Sequence, residues 1–166
     1  MRYLLLFTFL ILNACSLLPK RDGSPAEVKD SSIDAQINPE NQQESLVQTV
    51  PLMNEAVKSL FNSAQQNYQQ NHFDKALAQL ERAHRIQAKS PEVTQLMAEI
   101  NLHKGDYKQA HYWATLSTQN SPAKGKICEK SWRILAIAAD LLGYDANQAM
   151  ALEKKEACVV KAPERY

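Results

Sequence analysis

Apolar side chains recur at three- and four-residue intervals along most of the chain after Leu52. Val57, Leu60, Phe61 and Ala64 form one stripe, and Phe73, Ala76, Leu77, Leu80, Ala83 and Ile86 form a second. Val93, Leu96, Met97 and Ile100 form a third. This is the period of helices that bury one face. Ser90-Pro91-Glu92 predicts a helix start, with Ser as N-cap, Pro in the first turn and an acid beside it. Gly105 suits the end of that helix, where a left-handed residue is needed. Trp132 to Leu142 is strongly apolar, Gly143 breaks it, and Ala146 to Cys158 resumes the helical pattern. Asp145 with Gln148 predicts the start of that last helix. The fold class expected is all-α, in antiparallel hairpins, over 52–160, with 161–166 as a tail.

The N-terminal part reads differently. Arg2 and a ten-residue, nearly all-apolar run from Tyr3 to Leu12 lead through Asn13 and Ala14 to Cys15. The run is shorter than the roughly 20 residues of a membrane-spanning helix. It fits a secretory signal over 1–14. Leu12, Ala14 and Cys15 resemble the lipobox of bacterial lipoproteins, with Asn13 an uncommon occupant. That resemblance implies cleavage before Cys15 and lipidation of its side chain. Ser16 after it implies sorting to the outer membrane, on the periplasmic face. An ordinary cleaved signal, or an uncleaved anchor, is the alternative. The stretch from Ser16 to Pro51 has no aromatic residue and no sustained apolar period, and is dotted with Pro, Ser, Asn and Gln. It predicts a disordered tether over 15–51 with an r.m.s. span of about 30–35 Å.

Composition narrows function further. The chain has 19 Lys and Arg against 18 Asp and Glu. Arg2 is the only charged residue in 1–14, so 18 of each sign remain beyond it. No net field favours nucleic acid or an anionic membrane surface. No phosphate loop, nucleophile elbow, zinc-protease or calcium-loop motif occurs, so no catalytic residue, metal site or cofactor is expected. His72, His84, His103 and His111 are not at paired ligand spacings and read as surface or packing residues. Trp113 and Trp132 read as hydrophobic anchors, with Trp113 placed to cover the next hairpin.

An internal period organises the helical part. Ala64 and Ala98, Phe73 and Tyr107, and Ala76 and Ala110 are each 34 positions apart. Asn71 and Gly105 take the turn between helices, and Ala83 and Ser117 take a later small position. Small residues at these points let two antiparallel helices approach closely. These residues resemble the tetratricopeptide repeat, although any antiparallel helical hairpins would also place Ala at their contacts. The inter-repeat proline of that family is matched at Pro122. Pro91 comes three residues late, which predicts a longer first B helix. A third, degenerate unit follows an insertion of about five residues near Ser121 to Lys126. Ala149 answers to Ala110 there, Ala146 falls at the aromatic position, and the unit suits a terminal cap.

Cys128 lies 15 residues before Gly143 and Cys158 lies 15 after it. A hairpin turning at Gly143 brings both to its open end, where a disulfide would staple the base. Two buried free thiols are the alternative, and no CxxC spacing points to redox or metal chemistry.

The repeat resemblance implies protein binding on the concave face lined by the A helices. It assigns that role to Lys58, Phe61, Gln65 and Tyr68 in the first unit, and to Glu92, Gln95, Glu99 and Leu102 in the second. The Lys and Asn pairing by which some members clamp a C-terminal carboxylate is missing. In its order of lipobox, tether and about three hairpins, the whole chain is similar to the short lipoproteins that activate class A penicillin-binding proteins. That implies a non-enzymatic activator of peptidoglycan synthesis. A pilotin-like assembly factor for an outer-membrane secretin or pilus system is the alternative.

Overall fold

The structure is a computed structural model and describes residues 30–39 and 52–160. Seven helices carry these residues: α1 (Asp30–Ile37), α2 (Glu55–Gln69), α3 (Phe73–Ile86), α4 (Pro91–His103), α5 (Tyr107–Asn120), α6 (Lys126–Leu141) and α7 (Asp145–Ala157). From α2 onward they pair in sequence as three hairpins, α2 with α3, α4 with α5 and α6 with α7. The all-α, tetratricopeptide-like architecture expected from the period is the one found.

All three hairpins turn by the same local device. Asn71, Gly105 and Gly143 have φ of 58°, 74° and 70°. The residue after each donates its amide to a carbonyl five positions back: His72 to Asn67, Asp106 to Asn101 and Tyr144 to Ala139, at 2.8–2.9 Å. The turn residues themselves donate to Tyr68, Leu102 and Asp140. This pair of bonds is the Schellman closure, which requires a left-handed residue. Glycine takes that conformation freely, and asparagine is the side-chain-bearing residue best suited to it.

The predicted packing residues sit at the helix contacts. Ala64, Ala76, Ala98 and Ala110 are fully buried, and Phe73 and Tyr107 are half-buried beside them. Two core clusters result. One holds Val57, Leu80, Val93, Met97 and Ile100 from α2, α3 and α4; the other holds Leu102, Ala114, Ile134 and Ala138 from α4, α5 and α6. Trp113 packs against both. Between α5 and α6 the hydroxyls of the buried Ser117 and Ser131 meet at 2.7 Å.

Several local expectations are corrected. The first B helix is not longer: α3 and α5 both have 14 residues. The extra positions before Pro91 lie in the loop after α3. Ser90 is the N-cap of α4 by position, yet its hydroxyl donates to Glu92 at 2.9 Å instead of capping the helix. Tyr144, not Asp145, is the N-cap of α7, and no side chain caps it. The third unit is offset by 38 positions, from Gly105 to Gly143 and from Ala98 to the buried Ala136, instead of 39. At that offset Gln148, not Ala149, answers to Ala110; Ala149 is exposed, and Ala151 is the buried residue of α7.

Cys128 and Cys158 form a disulfide with their Cα atoms 5.6 Å apart. The Gly125 amide donates to the Cys158 carbonyl at 2.9 Å beside it. Lys124 reaches the neighbouring Ala157 carbonyl. Together these close the base of the last hairpin.

The largest departure lies in the stretch assigned to the tether. Residues 30–37 are helical and packed, not extended: α1 lies against α4 and α6, with Ile33 and Ile37 buried in the second cluster. Two isoleucines four positions apart are the shortest apolar stripe a helix can present, and no sustained period flags it. Cys15 and the remainder of the predicted signal and tether fall outside the described residues.

Candidate functional site

The A helices α2, α4 and α6 share one face, and two neighbouring hollows open on it. The first, about 200 Å³, is lined by Phe61, Gln65, Tyr68, Gln69, Glu92, Gln95, Leu96, Glu99 and Lys130. The second, about 390 Å³, is lined by Leu52, Met53, Glu55, Lys58, Phe61, Asn62, Glu92 and Ile127. Phe61 and Glu92 line both, so the two hollows adjoin. Seven of the eight residues assigned to the concave face thus line one continuous depression.

The eighth, Leu102, does not. It is fully buried in the cluster that includes Ile33 and Ile37 of α1. The repeat position implies an outward-facing side chain, whereas Leu102 packs among residues of α1, α4, α5 and α6.

The floor of the first hollow is polar and paired. Glu99 is 4% exposed, and Lys130 reaches its Oε2 at 2.9 Å. A carboxylate this buried needs such a partner, because losing solvation without one costs several kcal/mol. Tyr68 donates its hydroxyl toward the other carboxylate oxygen at 3.4 Å. The same hydroxyl oxygen is 2.8 Å from His103 Nε2, which in turn lies 3.3 Å from Asp34 of α1. With the proton of His103 on Nε2, that single N–H is shared between Tyr68 and Asp34 and leaves the Tyr68 hydroxyl to donate to Glu99. Asp34, His103, Tyr68, Glu99 and Lys130 therefore form one run of polar contacts joining α1, α2, α4 and α6.

Gln95 is held from beneath. Its Nε2 donates to Ser131 Oγ at 2.8 Å and to the Ile127 carbonyl at 3.1 Å. Ser131 also meets Ser117 and Ser121. Gln95 is therefore a preset part of the wall, whereas Gln65 and Gln69 are exposed and project amides at the rim. Lys58 is exposed on the apolar side, near Leu52, which is 97% exposed.

Arg133 of α6 donates to the carbonyl of Ile37 at 3.1 Å. Burial lowers its pKa, and the carboxylates of Glu129 and Glu156 oppose that shift. Burial likewise lowers His111, whose Nε2 is buried without a hydrogen-bond partner and whose ring stands edge-on to Tyr144. His84 stands edge-on to Trp113. No group of three or more His, Cys, Asp or Glu that could hold a metal occurs among the described residues. No helix among them is long and apolar enough to cross a membrane.

Sequence reasoning missed Lys130, His103, Arg133 and the whole of α1. Lys130 had no chance of being found by carrying positions from the first two units, because the third is out of register. Asp34 gave no signal of its own.

What this arrangement can do is bind. An apolar hollow at Phe61, amides at the rim and a paired charge in the floor suit a polypeptide segment with one or more anchored side chains.

No protein-family model and no curated protein sequence matches the chain. Among solved structures it is similar to the globular C-terminal domain of LpoP from P. aeruginosa. The two share 28% identity and a TM-score of 0.57, over 63% of this chain and 99% of that one.

Proposed function

We propose that this chain is a lipid-anchored activator of a class A penicillin-binding protein, held to the periplasmic face of the outer membrane through Cys15. The observation that carries the reading is the likeness to the globular C-terminal domain of LpoP, beside an order of lipobox, tether and repeats that resembles the short lipoprotein activators of these synthases. The depression on α2, α4 and α6 supplies a surface on which a protein partner could seat. Its floor is organised before binding, so little ordering cost falls on this side of the interface.

Such a domain accelerates a synthase without touching its substrate. It binds the active arrangement of the synthase more tightly than the inactive one, and the difference in affinity shifts the population. The rim residues Phe61 and Gln65 make contact, whereas Glu99 and Gln95 hold the wall in shape. Their removal should therefore differ in kind: loss of the exposed Gln65 changes binding alone, whereas loss of Phe61, Glu99 or Gln95 also changes stability.

The test is glycan polymerisation by a purified class A synthase with and without the lipidated full chain. Gln65→Ala with Gln69→Ala, both exposed at the rim of the first hollow, should lose most of the stimulation while the folding midpoint moves little. Absence of stimulation by the wild-type chain, with enrichment of a secretin from detergent-solubilised envelopes instead, would overturn the proposal.

A further inference from the structure

The helix α1 is the one packed element among the described residues that no repeat accounts for. Its eight residues are too few to stay helical alone, since isolated helices shorter than about 12–15 residues are marginal in water. It is helical where it is docked. Ile33 and Ile37 are buried alongside Ala98, Leu102, Ile134 and Leu135. Arg133 donates to the carbonyl of Ile37, at the end of the helix where carbonyls lack partners and a cation is favoured. Asp34 stands 3.3 Å from His103. The channel between α4 and α6 thus selects one pattern: an aliphatic residue, an acid beside it, a second aliphatic residue four positions after the first, and a helix C-terminus ending at Arg133.

We propose that this channel is a receptor for an amphipathic helix of the partner, and that α1 occupies it as a tethered stand-in which the partner's helix displaces. The inference rests on the reading above for the identity of the partner, and names the chemistry it presents. The partner's segment carries the same pair of aliphatic side chains, the same flanking acid and the same free helix end.

Two observations make displacement more than occupancy. The run from Asp34 through His103 and Tyr68 to Glu99 and Lys130 joins the channel to the first hollow. A ligand seated in the hollow therefore feels whether α1 is present. The chain between Ile37 and Glu55 is also long enough, at about 3.5 Å per residue, for α1 to leave while α2 stays in place. A tethered competitor acts at an effective concentration on the order of millimolar. A partner helix of equal fit loses to it unless the partner also engages the hollow at Phe61 and Gln65. In this way α1 sets a threshold that rewards partners contacting both parts of the face.

The probe is a fluorophore-labelled synthetic peptide with the sequence of Val28–Pro39, titrated against the full chain and against the full chain carrying Ile33→Asp and Ile37→Asp. Releasing the resident helix should tighten peptide binding about tenfold or more. A peptide carrying the same two aspartates should bind neither chain. Adding Arg133→Gln to the released chain should weaken the peptide again, since the cap serves any helix in the channel. A far-ultraviolet dichroism loss no larger than the eight residues of α1, with cooperative melting of the three hairpins retained, verifies that the released chain is folded. Equal binding of the peptide to both chains, or to neither, overturns the proposal. So does a wild-type chain that pairs with a second copy through α1 as concentration rises. The purified synthase should also bind the released chain more tightly than wild type, and equal affinity would sink the displacement. Should neither chain bind the synthase, the proposed partner is wrong and the peptide result alone decides the receptor.

Discussion

At the scale of single residues, the backbone of each hairpin turn sets a testable asymmetry. Gly105 has φ of 74°, and a Cβ added there meets nothing within 4 Å. The cost of Gly105→Ala is then purely conformational, about 1–2 kcal/mol. Asn71→Gly at the equivalent turn relieves a side chain from the same conformation and should be neutral or slightly stabilising. Urea unfolding of the two variants checks both signs; equal losses would mean that the turns are not equivalent. His111 makes a second prediction. Its folded pKa lies below its ordinary 6.5 because burial disfavours the imidazolium. Below that value the unfolded chain binds a proton that the folded chain resists. Its contribution is therefore complete above about pH 6.5 and is lost as pH falls through the lowered folded value. The urea midpoint of the wild type should drop more between about pH 7.5 and pH 5 than that of His111→Phe. Parallel declines would assign the pH response to other groups.

At the scale of elements, the last hairpin depends on its staple. Along its own length α7 buries only Ala151, with Cys158 buried just beyond its end. Reducing the disulfide, or Cys128→Ser with Cys158→Ser, should cost about 3–4 kcal/mol by releasing a loop closed across 30 positions. Amide exchange should quicken first in α7 while α2 and α3 keep their protection. Uniform quickening through all three hairpins would show that the array unfolds as one unit. The hairpins themselves were legible because their signals are local: a 3.6-residue apolar period, small residues at helix contacts and a left-handed residue at each turn. The register of the third unit was not. Its offset depends on how the loop from Ser121 to Gly125 folds, and Ala149 was a nearer match by letter than by position. The helix α1 escaped for a related reason. Two isoleucines within a polar stretch carry no periodic signal until a groove exists to receive them.

At the scale of the molecule, two core clusters meet at Trp113. It packs against both, with His84 edge-on at 5.2 Å and Tyr112 at 4.9 Å. In a repeat array, cooperativity rests on such interfaces between neighbours. Trp113→Ala should cost about 3 kcal/mol and, more tellingly, broaden the denaturation transition as the first hairpin uncouples from the later ones. A sharp transition at a lower midpoint would place the coupling elsewhere. The concave face follows the same logic. Its depression is built from three helices far apart in sequence, so the pairing of Glu99 with Lys130 belongs to the assembled array and to no single repeat.

The sequence by itself determined the six hairpin helices, their pairing, their turns and seven of the residues that line the two hollows. Each of these depends on neighbours a few positions away or on a fixed repeat. Only the tertiary structure decided which of those residues remain accessible. Leu102 is buried, Gln95 and Glu99 are held in the wall, and part of the face is already covered by Ile33 and Ile37. These outcomes come from contacts between distant segments, whose geometry exists only once the array has formed.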